Sequence, residues 1–420
     1  MYRADPCRWS PKSPSLTSGM RLFPLLLLGC LGRTAAAQAR PEVSAEATIV
    51  FHQASVTPTG RGQGEVKVVR PVMMAHWRFA SGLAARATLN LEGATMPAGE
   101  LLPGGWGEGF VDRRHPHTYA HELILEGRHE FVCSGTMRCA VGGFIGKGFV
   151  PFGSADPMMR GFLRYPVNHH LAQVLERAVI GGQIRTGPAT VEMALFNGDE
   201  PEKAGQWPRI GGRFGDSWAA RVSIRPVPRL EASASFATVR SPEHRPGAGA
   251  TQRKRHAAVG YDGPLGSGRF RVLAEIAETA ELDRFFVFGS RLAEAEYHRG
   301  RMTVRYRYED TDRPEEERLS PFRSARPHLE NSILGETRWR THSAGATFRL
   351  RGRDRLGLEW IVEGTAGRVN RRGAGIFDPL AIYGRTSVAV ASTGVRFAWR
   401  RPEPRMGVYG IAGETAGHAH

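Results

Sequence analysis

The expected fold is decided by a stretch that reads Leu83-Ala84-Ala85-Arg86-Ala87-Thr88-Leu89-Asn90-Leu91-Glu92, in which apolar and polar side chains alternate. The odd-numbered positions from 83 to 91 are apolar, whereas Arg86, Thr88, Asn90 and Glu92 are polar. A period of two places the two sets on opposite faces of a β-strand. The same alternation recurs at 218–225, 304–309 and 356–363, as expected for strands between lipid and a polar interior.

The rhythm of the connections separates a membrane barrel from a soluble β-sandwich. The joints after every second strand are mostly tight, for example Ser81-Gly82 and Thr186-Gly187, and the others are mostly long, for example 94–117 and 311–336. Short turns that alternate with long loops are typical of an outer-membrane barrel. We therefore predict an all-β fold, a transmembrane antiparallel β-barrel of about 16 strands. The strands are expected near 43–53, 67–80, 83–93, 118–127, 138–147, 174–185, 188–197, 216–225, 229–240, 253–262, 269–279, 285–298, 301–310, 337–351, 355–367 and 386–399.

The first 39 residues are predicted to be upstream sequence followed by a secretory signal peptide. From Met20 a basic start, the apolar run of 22–32 and the small residues around Ala37 form the three parts of such a signal. Cleavage is expected after Ala37 or Ala39. Residues 40–420 are then predicted to form the barrel, and the protein is predicted to be located in the bacterial outer membrane. A lipoprotein signal in which Cys30 becomes acylated remains the alternative.

Charge and cysteine content limit the partners. The chain has a net charge of +16, and 52 of its 57 basic residues are arginine. Guanidinium groups bind anions in bidentate fashion, which makes anions one class of partner. A GC-rich genome also explains the arginine excess, and export argues against nucleic acid as a partner.

Outside the predicted leader only Cys133 and Cys139 remain. In an oxidising compartment this close pair predicts a disulfide that staples a turn.

A family resemblance is carried by the segment after the fifth predicted strand. It reads Gly146-Lys147-Gly148-Phe149-Val150-Pro151-Phe152-Gly153 and is followed by Glu176-Arg177-Ala178. This resembles the "G-x-F-x-x-P-F" and "E-R-A" elements of the phosphate-selective porin O and P family, although Phe149 stands one place later than the first aromatic of that pattern. The resemblance covers about 35 residues. The resemblance implies a sixteen-stranded barrel that assembles as a homotrimer. It also implies that the third long loop, here 148–173, folds inward and narrows the pore.

The expected constriction takes its residues from that loop and its flanks. The family's narrow zone relies on lysines, and because Lys147 is the nearest one here, arginines would have to substitute. The predicted constriction comprises Lys147, Asp156, Arg160, Arg164, Tyr165, His169, His170 and Arg177. A positive lumen wall that concentrates anions is predicted from Arg86, Arg221, Arg225, Arg305 and Arg307. The alternative is that these arginines pair with lumen acids such as Glu92 and Glu359.

Histidines near the same loop raise the possibility of a metal site. Imidazole is the commonest transition-metal ligand. We expect two groups of histidines to lie close together. One comprises His115, His117 and His121 beside one strand, and the other comprises His169 and His170 in the constriction. The alternatives are ordinary loop histidines, or a pair at 169–170 that gates conductance by protonation.

No catalytic motif points to an enzyme: the sequence has no G-x-S-x-G elbow, paired-carboxylate motif or phosphate-binding glycine loop before a helix. The sequence therefore predicts a channel without cofactors that passes small hydrophilic solutes, with a preference for anions. A non-conducting structural or adhesive barrel is the alternative. Residues 400–420 are expected to form either a last strand around 406–411 or a periplasmic tail.

Overall fold

The structure is a computed structural model that describes residues 41–56, 62–97, 99–103, 111–114, 117–201, 203–240, 251–316, 318–320, 323–324, 333–352, 356–375, 378–400 and 406–414. Sixteen antiparallel strands in this part of the chain form a closed barrel in which chain neighbours pair and the last strand pairs with the first. The strands β1 to β16 are Glu42–Ala54, Gln63–Ala80, Leu83–Asn90, Ala120–Ser134, Met137–Gly148, Arg177–Thr186, Ala189–Phe196, Ser217–Val227, Leu230–Arg240, Thr251–Leu265, Gly268–Glu281, Phe286–Arg299, Met302–Glu316, Ile333–Arg351, Leu356–Gly375 and Ser387–Trp399.

The alternation seen in the sequence is realised as an outer and an inner face. On β3, Thr88 and Asn90 are buried inside, whereas Leu89 between them is 40% exposed on the outside. Large apolar side chains such as Ile49, Met193 and Trp218 are exposed along the outer face of other strands. A closed barrel leaves no strand edge unpaired, so this apolar surface can face lipid. None of the helices in the described part of the chain is long and apolar enough to cross a bilayer.

Loop lengths differ between the two ends of the barrel. At one end, the turn end, the seven connections have two residues each except for 352–355. Gly82 shows what such a turn requires, since its φ is +78° and a Cβ there would lie 2.2 Å from the carbonyl oxygen of Arg128. At the other end, the loop end, the connections include 91–119, 149–176 and 197–216. The predicted sixteen-strand barrel and its loop rhythm are thus confirmed.

Several predicted strand ends were too early. β13 continues to Glu316 and β15 to Gly375, so parts of the predicted loops 311–336 and 368–385 belong to the wall. The joint predicted between 127 and 138 is a two-residue turn, because β4 extends to Ser134 and β5 begins at Met137. The sequence of this hairpin does not alternate, because polar side chains lie on both of its faces. Beyond Gly127, β4 no longer pairs with β3 and pairs only with β5.

A disulfide joins Cys133 and Cys139 across this protruding hairpin, with the Cα atoms 5.8 Å apart. Because the hairpin extends beyond the barrel wall on one side, replacing both cysteines by serine should leave the barrel folded. Closing so short a loop contributes roughly 2 kcal/mol, which we expect to be lost locally. Hydrogen exchange should rise at 128–138 only, while the heat-dependent electrophoretic mobility of the folded barrel stays unchanged. Loss of the folded barrel in the double variant would contradict the expectation that the disulfide stabilises only the hairpin.

Candidate functional site in the barrel lumen

Residues 149–176, here named the lumen loop, connect β5 to β6 and contact strands all around the barrel. The Gly153 amide donates to Ser235 Oγ on β9 at 2.9 Å, and the Leu163 amide donates to Glu363 Oε2 on β15 at 2.7 Å. The Val167 amide donates to Glu309 Oε1 on β13 at 2.6 Å. Arg70 on β2 donates to the carbonyl of Phe162. Partners on such distant strands place the loop across the interior.

The course of the loop is determined by its backbone N–H groups, which need hydrogen-bond partners because they are buried away from bulk water. Two of its amides use wall carboxylates as acceptors, because a buried N–H without a partner is costly. Asp156 accepts a hydrogen bond from the Met158 amide at 2.8 Å and so fixes a tight turn at 157–159. Phe149, Phe152 and Met158 are buried in an apolar cluster with β5, β6 and the chain end.

Arg160 is the main charged anchor of the lumen loop. Its guanidinium lies 3.1 Å from Glu294 and 3.4 Å from Glu275, and it donates to Ser154 Oγ at 2.7 Å. Burial opposes the cation, but the charges of Glu294 and Glu275 outweigh burial and raise the pKa of Arg160 above its ordinary value. This predicted constriction residue therefore fastens the loop to β11 and β12.

The other predicted constriction residues are also held by the protein. Arg177 donates to the carbonyl of Leu175 at 2.8 Å, and Lys147 donates to Thr118 Oγ1 at 2.5 Å. Arg164 is buried, and its carbonyl accepts a hydrogen bond from Arg307 at 2.9 Å. The ring of Tyr165 lies 5.6 Å from the ring of His169. Exchanging Arg160, Arg164 and Arg177 for glutamate would therefore disturb the loop as well as the charge of the pore.

The five predicted wall arginines lie on strands, and each has a glutamate partner. Arg221 also donates to the carbonyl of Gly153, so it holds the lumen loop as well as the wall. The charges of these five arginines thus face carboxylates, although the partners are not Glu92 or Glu359, the two acids named as examples. The pairs and their distances are Arg86–Glu126 at 2.9 Å, Arg221–Glu192 at 2.5 Å, Arg225–Glu231 at 2.5 Å, Arg305–Glu296 at 2.7 Å and Arg307–Glu294 at 2.7 Å.

Histidines form a buried cluster where β4 meets the lumen loop. His121 Nδ1 lies 2.9 Å from Glu176, and its Nε2 lies 3.2 Å from Asp156. The ring of His117 lies 4.7 Å from that of His121. Burial opposes ionisation of Glu176, yet its hydrogen bond and charge interaction with His121 hold its pKa below the ordinary value.

The predicted metal residues are only partly brought together. One ligand atom each of His117, His121 and Glu176 falls within 4.8 Å of the others. The ring centres of His169 and His170 lie 4.1 Å apart with their planes tilted by 55°, and neither residue is a member of this group. His115 lies outside the described residues.

Residues 406–414, here named the C-terminal segment, occupy the lumen beside β4, β5 and β6. Tyr409 Oη donates to Glu122 Oε1 at 2.8 Å and accepts from the Phe149 amide at 2.9 Å. The Gly410 amide donates to Glu126 Oε2 at 2.6 Å, and the Ile411 amide donates to Gln183 Oε1 at 2.9 Å. Burial and then the neighbouring Glu122 charge raise the pKa of Tyr409, which stays a phenol that donates to the carboxylate.

This segment differs from both forms expected for the chain end. It contains one helical turn, Gly410–Glu414, instead of a strand, and its described residues lie inside the barrel instead of hanging as a tail. A cavity of about 300 Å³ lies beside it, lined among others by His76, Arg86, Glu122, Arg400 and Met406. The lumen loop and the C-terminal segment together thus narrow the interior.

Several important carboxylates were not recognised from the sequence. Glu122, Glu275, Glu294 and Glu309 anchor the lumen loop or the C-terminal segment. Each of these glutamates occupies an inward position of a strand. The alternation of apolar and polar residues could therefore have identified them as residues that face the lumen. Glu176 was noted only as part of the resemblance.

Comparisons with known proteins give a likeness of fold. No protein-family model matches the sequence, and no curated protein matches it. Among solved structures, the anion-selective porin from Comamonas acidovorans is 13% identical, with 86% of this chain and 99% of that chain covered at a TM-score of 0.47. The trimer form of OmpT, an outer membrane protein of Vibrio cholerae, is 9% identical over 86% and 99% at 0.45. Pseudomonas aeruginosa OccK2 is 12% identical over 86% and 98% at 0.39.

Proposed function

We propose that the protein is a channel of the porin kind in the bacterial outer membrane, through which small hydrophilic solutes diffuse passively. One observation carries the proposal: an apolar outer wall encloses a lumen of charged and polar side chains that a long loop crosses. A pore selects by the groups at its narrowest part, so the lumen loop is the proposed constriction. Diffusion down a gradient needs no cofactor and no catalytic group.

We infer a preference for anions from the charges around the 300 Å³ cavity. Arg86, Arg400 and His76 line it together with Glu42 and Glu122. Arg86 is paired with Glu126, whereas Arg400 is exposed at the end of β16 and its guanidinium lies 5.0 Å from the ring centre of Trp399. An exposed guanidinium at the turn-end opening concentrates anions through the field of its fixed charge.

Planar-bilayer recording on detergent-extracted, heat-modifiable protein tests both the channel activity and the preference for anions. We expect discrete conductance steps and, in a salt gradient, a reversal potential on the anion side. Arg400→Glu should move the reversal potential towards cations with little cost in stability, because the side chain is exposed. Arg284→Glu is the matched control, since Arg284 is exposed at the loop end and pairs with Glu278. A reversal potential that Arg400→Glu leaves unchanged would contradict this role.

A non-conducting structural or adhesive barrel is the second candidate, and the filled lumen favours it. Two inserts, the lumen loop and the C-terminal segment, occupy the same interior. Folded protein that inserts into bilayers without any conductance steps would support this candidate and exclude the channel.

Three finer proposals accompany the channel. Selectivity for phosphate should appear as inhibition of chloride current by phosphate, and a homotrimer should appear in light scattering of the detergent complex. Signal cleavage should give a mature chain that begins at 38 or 40, whereas acylation at Cys30 would give a lipid-modified mass. Each measurement distinguishes its proposal from the general channel function.

A further inference from the structure

Three potential ligands converge at the contact between β4 and the end of the lumen loop. His117 precedes β4, His121 lies on it, and Glu176 is the last loop residue before β6. All three are buried, and one ligand atom of each lies within 4.8 Å of the other two. Imidazole nitrogens with a carboxylate oxygen form a donor set that suits Zn²⁺.

The surroundings orient two of these ligands. Asp156 lies 3.2 Å from Nε2 of His121, which leaves Nδ1 on the side of Glu176. A carboxylate behind a ligating imidazole fixes the ring and strengthens it as a ligand. The amide and hydroxyl of Thr118 each donate to Glu176 Oε1 at 2.8 Å and fix that carboxylate.

The backbone at Glu176 is a separate observation. Its φ is +60°, which is uncommon for a residue with a side chain. Strain of this kind persists where the surroundings require a particular position, and it is concentrated at functional sites. At this position Oε1 of Glu176 lies 2.9 Å from Nδ1 of His121 and 3.8 Å from Nδ1 of His117.

We propose that His117, His121 and Glu176 bind one divalent cation of the Zn²⁺ class, with Asp156 as the positioning residue of His121. The ion ties His121 on β4 to Glu176 at the end of the lumen loop, and Asp156 from the first part of that loop contacts the other nitrogen of His121. The carboxylates supply two negative charges, and Lys147 nearby supplies one positive charge, so a dication is only partly compensated by the protein. Three protein ligands leave a fourth position for water or a small anion.

Without the ion, His121 lies between the two carboxylates, with Nδ1 2.9 Å from Glu176 and Nε2 3.2 Å from Asp156. Metal binding uses an unprotonated Nδ1, because a ligating nitrogen must be deprotonated. The proposal depends on this local geometry and does not depend on channel activity. Its failure would therefore leave the channel proposal untouched.

Calorimetric titration of chelator-treated, folded full-length protein with Zn²⁺ tests the site. His418 and His420 near the chain end could bind metal independently, so the background carries His418→Gln and His420→Gln. We expect one equivalent of Zn²⁺, loss of this binding in His117→Gln and in Glu176→Gln, and an affinity about 10–100-fold lower in Asp156→Asn. His170→Gln is the matched control, because it removes a nearby histidine that is not in the ligand group.

Co²⁺ provides a second readout that does not depend on heat signals. The intense visible absorption of four-coordinate Co²⁺ should appear in the background protein and in His170→Gln, but not in His117→Gln. The folded state of every variant is checked by its heat-modifiable mobility. Absence of stoichiometric binding, or equal binding by the folded His117→Gln variant, would overturn the proposal.

Discussion

Deletion of residues 406–420 is expected to increase the single-channel conductance severalfold and to shift the reversal potential towards cations. The C-terminal segment lies in the lumen, and Tyr409, Met406 and Ile411 are buried there against the wall and the lumen loop. Their removal widens the path for ions beside β4, β5 and β6. The effect is large because a whole insert is removed instead of one side chain.

The change in selectivity follows from the carboxylates that the segment leaves behind. Glu122 accepts hydrogen bonds from the Gly407 amide and from Tyr409, and Glu126 accepts one from the Gly410 amide. Without these donors Glu122 faces the widened pore, and Glu126 keeps Arg86 as its partner. A newly exposed negative charge attracts cations, so the anion preference should weaken.

Deletion of 415–420 alone is the matched control and should leave both properties unchanged. Gly407→Val should reproduce part of the effect of the long deletion, because the φ of Gly407 is +82° and a Cβ would lie 2.8 Å from the ring of Phe149. Both variants are recorded in the same bilayers after their folded mobility is verified. If conductance after the long deletion equals that of the full chain, the segment does not obstruct the pore.

The barrel was predictable from sequence because lipid imposes a local rule. Every strand must present apolar side chains outward and polar ones inward, so Leu89 and Thr88 reveal their faces without any knowledge of the partner strands. Turn glycines such as Gly82 mark the connections in the same local way. The rule failed at the ends of some strands, as in the hairpin with Cys133 and Cys139 and at the end of β13.

The contents of the lumen were less predictable because they depend on contacts between distant residues. Tyr409 and Glu122 are 287 positions apart, and Arg160 and Glu294 are 134 apart. The sequence pattern predicts that a glutamate points inward, but it does not show whether the carboxylate contacts water, an arginine or a loop amide. The predicted arginines and histidines near the loop were suitable candidates by residue type, but their pairing partners appear only in three dimensions.

Replacement of Arg160 by methionine is expected to detach the lumen loop from the wall. The change leaves Glu275 and Glu294 buried with one fewer counter-charge, and breaking a buried ion pair in this way costs about 3–5 kcal/mol. Arg307 still compensates Glu294, and His256 and Asn168 still contact Glu275. The barrel should therefore remain folded while the docking equilibrium of the loop shifts.

Limited proteolysis of the folded barrel measures this docking, since cleavage follows the population of the open form when opening is fast. Arg160→Met should become sensitive within 149–176 and should show larger, noisier conductance, whereas Arg160→Lys keeps the charge and should lie between it and the unmodified protein. Adding Glu275→Gln to Arg160→Met should restore part of the resistance, because it removes one of the two buried carboxylates that lose the charge of Arg160. Equal protection of all these variants would show that the amide contacts of Leu163 and Val167 hold the loop without Arg160. Partial rescue by Glu275→Gln would instead show that charge compensation at β11 and β12 decides where the loop lies.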